Sequence, residues 1–172
     1  DDHSFVNLPL LEANLAGLHC VPRLYYGAIG FTGYQPARFQ NCGFAWGGSG
    51  SFFKYGCDAG GAHPPFPFVL GQLQVLSVGH ARALAASPDA NEFAGAAEAA
   101  ISTLANEDSA LGFMATRLQG LTYVSMPRRS WHNLGCFSDP GLYRPPLQNT
   151  SIVVHRILTA AALRYVWLVA SG

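Results

Sequence analysis

Apolar residues recur at helical spacing over several stretches of the chain. In the longest, Val69, Leu73, Leu76, His80 and Leu84 follow one another by steps of three and four, and Phe93, Ala97, Ile101, Leu104, Asp108, Leu111, Ala115 and Leu118 continue the same rhythm. Between the two series lies Ser87-Pro88-Asp89-Ala90-Asn91-Glu92. Here Asp89 is placed to cap a new helix while Glu92 reaches back to it. The pattern predicts two antiparallel helices, near 67–87 and 89–119, joined by a short turn. Leu8, Leu11, Leu15 and Leu18 predict a helix near 5–20, with Pro9 tolerated in its first turn. The apolar run from Ile152 to Ala170 predicts a last helix near 150–170.

Residues 27–66 differ in kind. They hold Gly27, Gly30, Gly33, the run Trp46-Gly47-Gly48-Ser49-Gly50-Ser51-Phe52-Phe53, and His63-Pro64-Pro65-Phe66. So many aromatics do not suit a free linker. They predict a long ordered loop laid over the helices, and residues 120–149 read as a second irregular region. The expectation is therefore an all-α fold: a bundle of about four helices in one domain spanning 1–172, with a Gly-, Pro- and aromatic-rich loop clamped by a disulfide.

Composition adds a surface and a compartment. A chain of 172 residues is long enough for a real core. Ten acidic and ten basic residues leave no net charge, and no basic patch is interleaved with aromatics, which argues against a nucleic-acid partner. Only 12% of residues are charged while 49% are hydrophobic. A surface so poor in charge predicts that part of it is covered, by partner subunits, glycans or lipid. The last helix carries His155, Arg156 and Arg164, which argues against a transmembrane span.

The opening Asp1-Asp2-His3 reads as the start of a processed chain. Four cysteines in separate contexts suit two disulfides in an oxidising compartment. Three pairings are possible, and Cys42 with Cys57 and Cys20 with Cys136 is preferred, since the first closes a Gly-rich loop and the second ties the first helix to a late loop. Asn149-Thr150-Ser151 is an N-glycosylation sequon. Together these predict an extracellular or secretory-pathway glycoprotein.

No catalytic residue is assigned. Gly47-Gly48-Ser49-Gly50-Ser51 lacks the Lys of a phosphate-binding loop, and Ser51 stands where a hydrolase elbow needs Gly. The six histidines are scattered. His80 and Asp108 interrupt apolar stripes; in an antiparallel hairpin they would lie on the order of 15 Å apart. A buried imidazole bonded to a carbonyl or hydroxyl is expected for His80, and an arginine partner or a cap for Asp108.

Leu10-Leu11-Glu12-Ala13, Val78-Gly79-His80-Ala81-Arg82 and Ala105-Asn106-Glu107-Asp108-Ser109-Ala110 followed by Arg117 resemble pieces of the secreted desiccation-related, ferritin-like proteins. The resemblance implies a ferritin-like scaffold in which Glu12, His80 and Glu107 are the remnant of a di-iron site. Two positions depart from it: Ser77 stands where the pattern wants Glu, and Ala110 where it wants His. The sequence thus supports an exported, non-enzymatic structural or interaction protein that needs no cofactor and assembles with itself or a partner. The alternative is a ferritin-like metal or small-ligand binder, with Fe or another divalent metal at a degenerate site.

Overall fold

The computed structural model describes residues 4–35, 40–42, 63–100, 107–134 and 147–171. In chain order the first elements are β1 (Ser4–Val6), α1 (Leu8–Leu15), β2 (Leu24–Gln35), β3 (Gln40–Cys42) and β4 (His63–Leu76). There follow α2 (Val78–Ala85), α3 (Pro88–Ala100), α4 (Glu107–Thr116), β5 (Thr122–Ser125), β6 (Trp131–Asn133), β7 (Val153–His155) and α5 (Ala160–Ser171). They divide between two compact units: Val21–Val124, and Asp1–Cys20 together with Ser125–Gly172.

In the unit of residues 21–124, β2 lies between β3 and β4, antiparallel to both, and also pairs with β5. The β2–β4 ladder runs from Tyr25 opposite Leu76 to Tyr34 opposite His63. Its register shifts between Gly27 and Ile29. Gly27 sits there at φ 155, and a Cβ at that position would collide with Val69 and the Leu73 carbonyl. The bulge therefore needs glycine. Helix α4 packs on β4, and the approach is close enough that a Cβ on Gly112 would meet the Phe68 side chain. Tyr25, Val69 and Ala115 are fully buried at this junction, with Leu76, Leu111, Leu121 and Tyr123 packed around them.

The all-α bundle expected from the spacing is overturned: the fold is mixed α/β. Residues 67–76, predicted as the first half of a helix, belong to β4, and residues 27–35, predicted as loop, belong to β2. Val69, Leu73 and Leu76 have helical spacing, but the segment Phe66-Pro67-Phe68-Val69-Leu70-Gly71 is aromatic, β-branched and broken by Pro and Gly, a composition that fits a pleated strand better. Pairing with β2, distant in sequence, decides between the two readings. The prolines are tolerated because β4 lies at the edge of its sheet path. Within the second predicted helix, 89–119, the described residues form α3 and α4; residues 101–106 lie outside them. The turn between α2 and α3 falls where the sequence places it, with a different cap. Ser87 Oγ accepts the Ala90 amide at 3.1 Å, and Pro88 takes the first helical position.

In the other unit, β7 lies between β1 and β6, antiparallel to the first and parallel to the second. The helix predicted over 150–170 is a strand, β7, followed by a shorter helix, α5. Val154, Ile157 and Val166 form the buried cluster between them, flanked by Phe5, Leu134, Leu147 and Ala162. In α1, Asn7 caps the helix by accepting the Leu10 amide at 3.3 Å.

The predicted clamp of two disulfides also needs correction. Cys20 is a free, exposed thiol, so the pairing of Cys20 with Cys136 does not form. Cys42 is disulfide-bonded, but no bridge joins two described residues; Cys57 and Cys136 lie outside them.

Candidate functional site

Three places in the described structure gather chemistry or exposed apolar surface. The first is a buried polar cluster in the 21–124 unit. Helix α2 starts at Ser77, whose Oγ accepts the His80 amide at 3.2 Å and the Leu24 amide at 3.1 Å while donating to the Pro22 carbonyl at 2.9 Å. This single hydroxyl fastens the helix to the start of β2. One turn later His80 is 0% exposed, with Nδ1 3.1 Å from the Leu24 carbonyl. A carbonyl can only accept, so Nδ1 carries the proton and Nε2, which has no partner, is unprotonated. The ring stands edge-on to Tyr25 at 5.2 Å. Burial lowers the imidazole pKa below its usual 6.5, and the Leu24 bond only partly opposes this.

Asp108 lies in the first turn of α4 and accepts amides from Ser109 at 2.8 Å and from Gly71, on β4, at 3.1 Å. Burial raises its pKa from 3.8 to about 6; the Ser109 and Gly71 amides pull it down and Glu107 pushes it up. Burial holds the Tyr25 phenol protonated, with Tyr123 and Asp108 adding to the effect. A carboxyl that titrates near pH 6 beside a tyrosine could exchange a proton. Asp108 is 7% exposed, however, and Tyr25, His80 and Ser109 are 0%. No substrate reaches such groups in this conformation, so the cluster ties α2, β2, β4 and α4 together.

The second place is in the other unit, where Ser151 Oγ lies 2.7 Å from His132 Nε2. That is the reach of a nucleophile and its base. Nothing in the sequence signals this pair, because its members stand 19 residues apart with no elbow around the serine. Both are 2% exposed, and Ser151 Oγ also accepts the Gln148 amide at 3.0 Å. The arrangement clasps β6 to the turn before β7.

The third place is α5. At about 100° per residue, Leu163, Trp167, Arg164, Leu168 and Tyr165 follow one another around one arc of the helix, with Arg164 at its middle. Val166 points the opposite way into the core. Leu163 is 48% exposed, Tyr165 58%, Trp167 61% and Leu168 70%, and Leu158 just before the helix is 72%. Of the large hydrophobic side chains that stand exposed among the described residues, most are here. Trp167 is held at its inner edge by Phe5, ring to ring at 6.2 Å. The sequence reading places this segment as a buried bundle helix. The signal for the other outcome was there: a helix apolar almost all round needs cover on every side, and its own unit supplies one.

The residues predicted to hold metal do not converge on a site in the described structure. Glu12 is exposed on α1, Glu107 is exposed at the first residue of α4, and His80 is buried against Leu24 and Tyr25. Among the described residues no group of three or more His, Cys, Asp or Glu is placed to bind an ion. Ser77, where the ferritin-like pattern wants Glu, is the cap of α2. Asn149 is exposed in a turn. No described helix is long and apolar enough to cross a membrane. No protein-family model, curated protein or solved structure matches the chain.

Proposed function

We propose that this is an exported, non-enzymatic interaction protein that assembles through the outer face of α5, most simply with a second copy of itself. The observation that carries the reading is the exposed arc of Leu163, Trp167, Leu168 and Tyr165, with Arg164 at its middle. With roughly half to two-thirds of each side chain still in water, covering one contributes about 1–2 kcal/mol. In a two-fold pair every contact occurs twice. Four such residues on each of two copies then supply on the order of 8–16 kcal/mol, comparable with the cost of association at about 4–15 kcal/mol. One copy meeting a polar surface would fall well short. The low share of charged residues and the sequon in an exposed turn are consistent with an exported, partly covered protein.

Sedimentation velocity of the purified chain over a range of concentrations tests this. The chain should sediment as a dimer or larger, and Leu163→Glu with Leu168→Glu should return it to monomer with an unchanged circular dichroism spectrum. A parent chain that stays monomeric at the highest concentration, or a double variant that associates as before, removes the proposal.

A further inference from the structure

The sequon Asn149-Thr150-Ser151 lies in the turn that leads into β7. We propose that Asn149 is a glycan acceptor open to its transferase only until β7 docks, because folding buries the serine hydroxyl through which the sequon is read. This rests on the export in the reading above and not on assembly through α5. In the transfer, Asn149 Nδ2 attacks the anomeric carbon of an oligosaccharide linked to a lipid diphosphate. The N–C bond forms as the C–O bond to the diphosphate breaks, the lipid diphosphate leaves, and the amide gives up one proton to a base of the transferase. The motif also demands Ser or Thr two residues on. A hydroxyl is what those side chains share, so the enzyme must reach that hydroxyl together with the amide.

The fold separates the two. Asn149 and Thr150 are exposed, but Ser151 is 2% exposed. Its Oγ accepts the Gln148 amide at 3.0 Å and lies 2.7 Å from His132 Nε2. Either tautomer of His132 occupies the hydroxyl: an unprotonated Nε2 takes its proton, and a protonated one takes a lone pair. The backbone is held as firmly. The Ser151 amide donates to the Gln148 carbonyl at 3.0 Å, the Ile152 amide to the Ser130 carbonyl at 2.7 Å, and the Asn7 amide to the Ile152 carbonyl at 2.8 Å. A transferase must therefore break these contacts or act before they form. The topology leaves time for the second course. To complete its sheet β7 pairs with β1, Ser4 opposite His155, across nearly the whole chain. Contacts so distant in sequence are slow to form, and until then the Ser151 hydroxyl stands in water.

Translation of the whole chain behind a cleavable leader, in the presence of microsomes, tests the first half of the proposal. The chain should gain one glycan, which Asn149→Gln and Ser151→Ala each remove and Ser151→Thr keeps. The second half is read on the purified, folded, unglycosylated chain, offered to detergent-solubilised transferase with the lipid-linked donor. It should be modified at least about ten-fold more slowly than an unstructured peptide of residues 147–153, since local opening must come first. A folded chain modified at the peptide's rate, or a translated chain that gains no glycan, overturns the proposal. The supplied leader makes both results independent of the chain's own export, which localisation in cells reads, and of assembly, which sedimentation reads.

Discussion

The Asp108 carboxylate accepts the Gly71 amide at 3.1 Å across 37 residues of chain, joining the start of α4 to the edge strand β4. The bond gives a β4 amide an acceptor on α4, and that acceptor is an acid whose pKa burial raises from 3.8 to about 6. The two facts have opposite effects on stability, and pH decides their balance.

Because the folded-state pKa of Asp108 is raised from 3.8 to about 6, the folded chain binds the proton more tightly than the unfolded one between those values. Its contribution therefore falls as pH rises through that window, by about 3 kcal/mol in all. Denaturant midpoints measured from pH 4 to pH 7 should show this loss, and Asp108→Asn should abolish it. A variant with the parent's slope would assign the pH dependence elsewhere.

His80 works in the other direction. Its folded pKa lies below 6.5, so the unfolded chain takes up the proton first, and stability gained from the neutral ring is complete above pH 6.5 and lost as pH falls below it. An NMR titration should find the His80 ring still neutral where a free imidazole is half protonated. A midpoint at or above 6.5 would contradict the buried, Nδ1-protonated form.

Ser77 holds three backbone groups with one hydroxyl. Ser77→Ala removes the cap of α2 and leaves the Leu24 amide short of an acceptor, and should cost about 2 kcal/mol in chemical denaturation. Ser77→Glu, which restores the ferritin-like pattern at that position, should cost more, since a carboxylate there faces the Pro22 carbonyl. A neutral Ser77→Glu would show that the site has room the structure does not give it.

Two glycines in helices should behave oppositely. Gly112→Ala drives a methyl into Phe68 and should destabilise by about 1–3 kcal/mol. Gly95→Ala in α3 meets nothing within 4 Å and should stabilise by about 0.5–1 kcal/mol through backbone entropy alone. Paired thermal melts read the difference, and equal shifts would refute the tight α4–β4 approach.

Features that act within one turn of chain were legible in the sequence. The break at Ser87-Pro88, the helical run around Leu11 and the burial of His80 follow from side chains three or four residues apart, and all are present. The site proposals fared differently. Glu12, His80 and Glu107 share a motif on paper but not a ligand cluster among the described residues, since a motif records spacing and not the direction of side chains.

By itself the sequence determined the break at Ser87-Pro88, which stretches are apolar and how little charge the chain carries, because a proline break, periodicity and composition are local or summed quantities. Only the tertiary structure decided that Val69 to Leu76 is a strand, that Asp108 meets Gly71, that His132 meets Ser151 and that Cys20 stays a free thiol. Each of these depends on which distant segment comes alongside. An apolar stripe can bury itself against a helix or a strand for similar free energy, and its partner makes the choice.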